Sequence, residues 1–224
     1  MRAADVMVRD VKTVHPDTDV ADAIKLLTKH DISALPVVDA DNHLVGVISE
    51  ADLIHRMEID TEKHHPWWVE AVIGASTLAE EFAKSHGKKV HELMATDVVS
   101  ASEETTLSEI AALMERKRIK RVPIVKQGEL VGMVSRSNLV QALASAMASA
   151  GTPQARDREI RREVLDRLGA QQWTGFGDRN ITVADGVVHI WGLVGSESEH
   201  KALLALAENV PGVARVSDEM IPSY

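Results

Sequence analysis

Residues 32–53, ISALPVVDADNHLVGVISEADL, recur as residues 119–139, IKRVPIVKQGELVGMVSRSNL, and this duplication decides the fold. Upstream, a shift of 87 positions places residues 5–38 on residues 92–125 without a gap. Downstream, a single deletion restores the alignment at the Leu-Val-Gly run. Because the apolar pattern and the turn residues both recur over about 50 residues, the two segments are copies of one structural unit.

Each copy predicts the element order β-α-β-β-α, which belongs to the α/β (α+β) class. A short extended segment precedes a helix, and two β-rich runs and a closing helix follow. Thr106 with Glu109 forms a capping box, and Asp19 with Asp22 is its weaker counterpart. Ser49 and Ser135 are placed to cap the closing helices. The predicted apolar helix faces comprise Val20, Ala23, Ile24 and Leu27 in the first copy and Leu107, Ile110 and Met114 in the second.

The composition excludes several classes of protein. The net charge of −9 argues against a general nucleic-acid binder, so we expect no nucleic-acid partner. The absence of cysteine excludes disulfides, thiolate nucleophiles and Cys-ligated zinc. No run approaches the roughly 18 apolar residues of a membrane-spanning helix. The first residues also lack the apolar core of a secretory signal, and we therefore expect a cytoplasmic protein.

The duplicated unit resembles the cystathionine-β-synthase-type (CBS) domain. The most specific feature is a Gly-φ-φ-Ser-x-x-Asp/Asn run after a φ-Pro-φ-φ strand, where φ is an apolar residue, and it occurs twice in matching positions. The resemblance implies that two units pack with pseudo-twofold symmetry as a Bateman module, whose cleft commonly holds an adenosine-containing ligand. It also implies a homodimer of two modules. The expected boundaries are residues 1–58 for the first CBS domain and 90–148 for the second.

A phosphate-and-ribose pair is predicted in the first copy. A serine at a helix N-terminus offers a hydroxyl and free N–H groups to a phosphate, and an aspartate one turn later can accept from ribose hydroxyls. Ser49 and Asp52 match this description, although Ser49 could merely cap the helix and Asp52 be solvated. The resemblance adds backbone contacts to adenine and an apolar wall. The residues expected on this basis are Thr13, Val14, Ala34 and Pro36, with Ser100, Ala101, Pro123, Ser135 and Asn138 as their counterparts.

The second copy differs in charge. Lys120 and Arg121 stand where the first copy has Ser33 and Ala34, and Arg136 adds a third base. Beside the cleft these residues could neutralise phosphates, whereas at an ordinary strand start they would simply be solvated. The bases favour AMP, ADP or ATP as the ligand over NAD or S-adenosylmethionine.

The insert between the copies, residues 59–89, carries an unusual apolar pattern. It contains His64–His65–Pro66–Trp67–Trp68 and then a stripe with helical spacing from Trp68 to Phe82. The stripe is typical of a long helix that covers the module or forms a dimer seam. A partner-binding face centred on the tryptophans is the alternative.

The C-terminal segment predicts a second fold. After a linker at residues 149–155, the order is α-β-β-α-β, with Asp157 expected as a helix cap and the turn 184–186 joining a hairpin. The final strand is expected at residues 213–220. Residues 156–224 resemble a BON domain, on the elements "DREIRREVLDRL" and "ITVADGVVHIWGLVGSESEHKALLALAENVPGVARV". The resemblance implies contact with phospholipid or cell-envelope material.

The residues indicate binding and no catalysis. There is no Gly-x-Ser-x-Gly elbow, no His-Glu-x-x-His and no Walker glycine loop, so we expect neither a catalytic site nor a metal. The first hypothesis is a regulatory, signal-transducing protein in which an adenine nucleotide binds the CBS pair and its occupancy is relayed to the BON domain. The alternative is a structural protein in which the pair only dimerises and the BON domain tethers it to phospholipid or a protein.

Overall fold

The computed structural model describes residues 1–54, 87–148 and 155–224 of the chain. These residues divide into two units. One comprises Met1–Asp10, Ser100–Lys126 and Val131–Tyr224, and the other comprises Val11–Val99 with Gln127–Leu130. The aromatic stripe of the insert and most of the predicted linker lie outside the described residues.

The first copy forms a strand pair with a helix on one face. Its elements are α2 (Val20–His30), β1 (Ala34–Val38), β2 (Leu44–Ser49) and α3 (Glu50–Leu53). The short helix α1 (Ala3–Val6) precedes them in the chain. Strands β1 and β2 are antiparallel, with Leu35 opposite Ile48. Leu35 and Val37 point into a core with the buried face of α2, which consists of Val20, Ala23 and Leu27.

The second copy repeats this arrangement. Its elements are α4 (Val90–Leu93), α5 (Leu107–Lys117), β3 (Arg121–Lys126), β4 (Glu129–Ser135) and α6 (Arg136–Ala148). The α/β class is confirmed. The capping box is confirmed too, because Thr106 Oγ1 accepts from the backbone N–H of Glu109. Two details of the prediction are wrong: Ile24 is 43% exposed, and Asp19 makes no side-chain capping bond to α2.

The opening helices are exchanged between the copies. Helix α1 begins the first copy in sequence, but it packs in the core of the second, where Met7 contacts Gly132. Helix α4 begins the second copy, but Leu93 and Met94 pack in the core of the first, where Met94 contacts Gly46. Each exchanged segment forms an antiparallel β-bridge with the copy that it joins. These bridges pair Val8 with Met133 and Val47 with Ala95. The glycine of each Gly-φ-φ-Ser run is therefore a position of very close approach by the exchanged segment.

The C-terminal segment forms a three-stranded sheet covered by two helices. Its elements are α7 (Ala155–Gly169), β5 (Ile181–Ala184), β6 (Val187–Val194), α8 (Glu197–Glu208) and β7 (Arg215–Pro222), with sheet order β5-β6-β7. The predicted order α-β-β-α-β is confirmed. The hairpin β5-β6 is antiparallel, whereas β7 lies parallel to β6 after the crossover through α8. The final strand begins and ends two residues later than predicted.

Asp157 has a different role from the predicted one. It lies inside α7, and its carboxylate accepts from the backbone N–H groups of Asp185 and Gly186, at 3.2 and 2.8 Å. Both turn residues have positive φ, at 53° and 70°. The carboxylate therefore holds the tight turn of the hairpin, because the N–H groups of such a turn point outward and need an acceptor.

Candidate nucleotide-binding site

The predicted Ser49–Asp52 pair is formed at the junction of β2 and α3. Both the backbone N–H and the hydroxyl of Ser49 donate to Asp52 Oδ2, at 2.8 and 2.6 Å. A serine hydroxyl has only one proton to donate. Ser49 is thus committed as a donor to Asp52, and its role is to orient that carboxylate, which keeps acceptor capacity on Oδ1.

The second copy reproduces this geometry with an amide. The N–H and hydroxyl of Ser135 donate to Asn138 Oδ1, at 2.8 and 2.7 Å. Asn138 is only 5% exposed. The remaining polar atom of the side chain differs between the copies. In Asp52 it is the acceptor oxygen Oδ1, and in Asn138 it is the donor nitrogen Nδ2. A ribose hydroxyl can pair with either, so the two copies offer different polarity at equivalent positions.

The backbone next to the pair is partly committed to the sheet. Val14 donates to the carbonyl of Pro36 at 3.1 Å and accepts from Val38 at 2.9 Å. Ala101 makes the equivalent bonds with Pro123 and Val125. The backbone N–H and carbonyl of Val14 therefore both have partners in the sheet, whereas the neighbouring Thr13 is half-buried. In the second copy Ser100, the counterpart of Thr13, is exposed.

Strand pairing brings the remaining predicted residues of the first copy to the same end of the sheet. Ala34 lies directly opposite Ser49, so the small side chain adjoins the Ser49–Asp52 pair. Pro36 lies two residues further along β1 and is buried. In this copy the structure therefore groups Ala34 with Ser49 and Asp52, while Pro36 lies behind them as part of the sheet.

The basic residues of the second copy meet at the strand start. The backbone N–H of Arg136 donates to the carbonyl of Lys120 at 3.1 Å, and its guanidinium reaches the carbonyl of Ile119 at 3.4 Å. The same backbone bond in the first copy joins Glu50 to Ser33. Lys120 and Arg136 are exposed, and Arg121 is half-buried. Equivalent corners thus carry two cationic side chains in the second copy and one anionic side chain in the first.

One cluster was missed from the sequence. Donor atoms of Asp39, Asp41 and His43 lie within 4.8 Å of one another in the β1-β2 turn. Asp39 Oδ1 accepts from the backbone N–H groups of Asp41 and His43, at 3.0 and 2.8 Å. The bond from His43 is the main reason that the pKa of Asp39 lies below its ordinary value. The carboxylate thus has a local structural role, and the signal for it was the Asp-x-Asp-x-His spacing.

Family models match both parts of the chain. The CBS domain model matches residues 3–59 and 90–145, and the BON domain model matches residues 156–221. The chain therefore belongs to the CBS-domain family and carries a C-terminal BON domain. The two copies are the first and second CBS domains, and the BON domain comprises α7 to β7.

Individual relatives match the CBS pair. The uncharacterized protein MJ1426 of Methanocaldococcus jannaschii is 32% identical over 154 residues, covering 64% of this chain and 91% of its own. The chloroplastic CBS domain-containing protein CBSX1 of Arabidopsis thaliana is 32% identical over 139 residues, and the chain spans 59% of its length. Archaeal inosine-5'-monophosphate dehydrogenase is matched over only 23% of its length.

The solved structures include a nucleotide complex. CBSX2 of Arabidopsis thaliana, solved in complex with AMP, has a TM-score of 0.56 and 29% identity. The similarity covers 64% of this chain and 96% of that one. Within the described residues, no helix is both long enough and apolar enough to span a membrane.

Proposed function

We propose that this protein is a non-enzymatic regulator whose CBS pair binds AMP, ADP or ATP. The observation that carries the proposal is the oriented Asp52 carboxylate, held by both donors of Ser49, in a chain whose structural neighbour CBSX2 was solved with AMP. A carboxylate fixed by two hydrogen bonds offers its second oxygen to a ribose hydroxyl with little loss of side-chain entropy on binding.

The charge of the second CBS domain supports a phosphorylated ligand. Lys120 and Arg136 lie at one corner and are exposed to solvent. Two cations close together favour a group with two or three negative charges over a neutral or cationic one. This argues for AMP, ADP or ATP over NAD and S-adenosylmethionine. The residues that we propose to contact nucleotide are Thr13, Ala34 and Asp52 in the first CBS domain, and Ser100, Lys120, Arg121, Arg136 and Asn138 in the second.

We further propose that the protein forms a homodimer through the CBS pair. Helix α6 exposes Val140, Leu143 and Met147, by 65, 60 and 80%. Their spacing of three and four residues places them on one face of the helix. Such a continuous apolar face on a soluble helix indicates an interaction surface, and the same face of a second copy is its proposed occupant.

The alternative is a structural protein whose BON domain binds membrane. Acidic residues outnumber basic ones between residues 155 and 224, which opposes binding to anionic phospholipid. Leu193 and Ile221 are adjacent on β6 and β7 and are 68 and 63% exposed. This pair is the observation that favours the alternative, because it offers an apolar surface on the BON domain.

Equilibrium titration separates the two functions. AMP, ADP, ATP, NAD and S-adenosylmethionine are each titrated into the full chain in a calorimeter. A regulator binds at least one of the first three with a stoichiometry near one or two per chain. Absence of binding by all five compounds, together with sedimentation of the protein with phospholipid vesicles, supports the alternative.

A further inference from the structure

A buried arginine of the BON domain holds the N-terminal segment of the chain. Arg161 on α7 is only 4% exposed. Its Nη2 donates to the carbonyl of Met7 at 3.1 Å and to that of Asp178 at 2.8 Å, and its Nε donates to the carbonyl of Ile181 at 2.9 Å. The side chain thus joins a residue near the start of the chain to two residues of the BON domain.

Asp178 binds the same N-terminal segment. Its Oδ2 accepts from the backbone N–H groups of Arg9 and Asp10, at 2.9 and 3.2 Å. Its Oδ1 lies 3.5 Å from Arg161 Nη2 and balances the buried charge. We call Arg161 and Asp178 the clamp. Between them they bind three main-chain groups of the segment, the carbonyl of Met7 and the N–H groups of Arg9 and Asp10.

The clamped segment is held from its other side by the second CBS domain. Val8 and Met133 exchange two backbone hydrogen bonds, each of 2.9 Å. Nearby, the buried carboxylate of Asp5 accepts from Arg158 Nε at 2.5 Å. Residues 5–10 therefore lie between β4 and the BON domain, and they cannot move without breaking bonds to one of them.

The two residues of the clamp depend on each other because both carry largely buried charges. Removing one partner of a buried ion pair is strongly destabilising, because the other charge is left uncompensated. Arg161 also donates to three backbone carbonyls, and a lysine ammonium at the same position would not span all three. We therefore expect the loss of either side chain to weaken the hold of the other on residues 7–10.

We propose that the clamp couples the BON domain to nucleotide binding by ordering the segment that leads into the adenine contact. The inference rests on the proposed function. Residues 11–14 follow the clamped residues directly in the chain, and Thr13 is the proposed backbone contact to adenine. A closed clamp limits the conformations of this segment before the ligand binds, so less conformational entropy remains to be lost on binding.

The coupling works in both directions. If the closed clamp raises the affinity for nucleotide, bound nucleotide must stabilise the closed clamp by the same factor. The BON domain then senses occupancy through its hold on residues 7–10. Nucleotide binding would then increase the fraction of molecules in which the BON domain holds residues 7–10.

The test uses the full chain with three variants. Arg161→Met removes the donors while keeping an unbranched side chain, and Arg161→Lys keeps the charge but cannot reach three carbonyls. Arg162→Met is the matched control, because Arg162 is the next residue of the same helix and is exposed. AMP affinity is measured by calorimetry. Hydrogen exchange at the amides of Arg9 and Asp10 is measured with and without AMP.

We expect Arg161→Met to bind AMP about tenfold more weakly and Arg161→Lys to fall between it and the wild type. The amides of Arg9 and Asp10 should exchange faster in both variants, and AMP should slow their exchange in the wild type. Arg162→Met should match the wild type in every measurement. If Arg161→Met does not fold, the coupling is tested by two other measurements. These are the AMP affinity of Arg161→Lys and the effect of AMP on exchange at the Arg9 and Asp10 amides of the wild type.

Two failures are distinguishable. Wild-type protein that binds none of the adenine nucleotides overturns the proposed function, and the coupling falls with it. Wild-type protein that binds AMP with the same affinity as both Arg161 variants, and with no change at the Arg9 and Asp10 amides, overturns the coupling alone.

Discussion

Met94 lies across Gly46 so closely that a Cβ built on the glycine would be 2.5 Å from its Sδ atom. The same relationship recurs in the second CBS domain, where a Cβ on Gly132 would be 2.7 Å from Met7 Sδ and 3.0 Å from the carbonyl oxygen of Val8. In both cases the methionine belongs to the opening segment of the other sequence copy. The glycine of the repeated motif is thus required by the exchange, because any side chain would push the incoming segment away.

Gly132→Ala should destabilise the protein by about 1–3 kcal/mol, since the added methyl group meets a backbone oxygen that cannot swing aside. Urea denaturation measures the free energy of unfolding. Gly169→Ala is the control, because a Cβ at Gly169 meets nothing within 4 Å. Equal stability of the two variants would contradict the close approach.

Asp52→Ala should weaken nucleotide binding by about 1.5–3 kcal/mol, the cost of a hydrogen bond to a charged group. Because Asp52 also accepts two bonds from Ser49, part of the effect could come from the local fold. Asp52→Asn separates these roles, since Asn138 makes the same two bonds in the second copy. We expect Asp52→Asn to keep the stability of the wild type and to lose affinity in calorimetry. Unchanged affinity of both variants would remove Asp52 from the site.

Lys120→Ala combined with Arg121→Ala should weaken ATP binding more than adenosine binding, because only the phosphates benefit from the lost charges. Raising the salt concentration should narrow the difference. Calorimetry at two salt concentrations makes the comparison. Arg116→Ala with Lys117→Ala, two exposed bases on α5, is the control for a general change in charge. Equal losses for adenosine and ATP would indicate a damaged fold.

Acid should destabilise the BON domain through His189. The side chain is fully buried beside Trp191, and this burial lowers its pKa below the ordinary value of 6.5. Glu219, whose carboxylate lies 3.7 Å from Nδ1, opposes the shift, and Arg215 adds to it. The unfolded chain therefore takes up the proton first, and stability is lost as the pH falls below about 6.5.

The pH effect is measured as the unfolding free energy between pH 7.5 and 5.5. His189→Gln should flatten the dependence in the range just below pH 6.5. His30→Gln, on helix α2, controls for the loss of an imidazole elsewhere. An identical slope in the wild type and His189→Gln would show that other groups control the acid sensitivity.

Leu143→Glu should convert the proposed dimer into a monomer, because a buried charge in an apolar interface is strongly unfavourable. Light scattering of the wild type should give twice the chain mass of 24.4 kDa. Leu193→Glu is the matched control, since that leucine is similarly exposed but lies on the BON domain. A wild-type mass of one chain at micromolar concentration would contradict the dimer.

The sequence by itself determined the local elements. Its repeat, its apolar periodicity and its turn residues specified two α/β copies and the α-β-β-α-β order of the BON domain, because these signals act between residues that are near each other in the chain. The Ser49–Asp52 pair could be predicted for the same reason, since its partners are three residues apart.

Only the tertiary structure decided which copy each opening helix joins and where the BON domain holds the chain. Met7 and Gly132 are distant in sequence, and so are Met7 and Arg161, whose contact spans 154 positions. Each opening segment is a four-residue helix followed by methionine, so the local pattern is alike in the two copies. The apolar pattern predicts that such a helix packs against a core, but it does not specify which of the two cores. Chain connectivity and close packing in three dimensions make that choice.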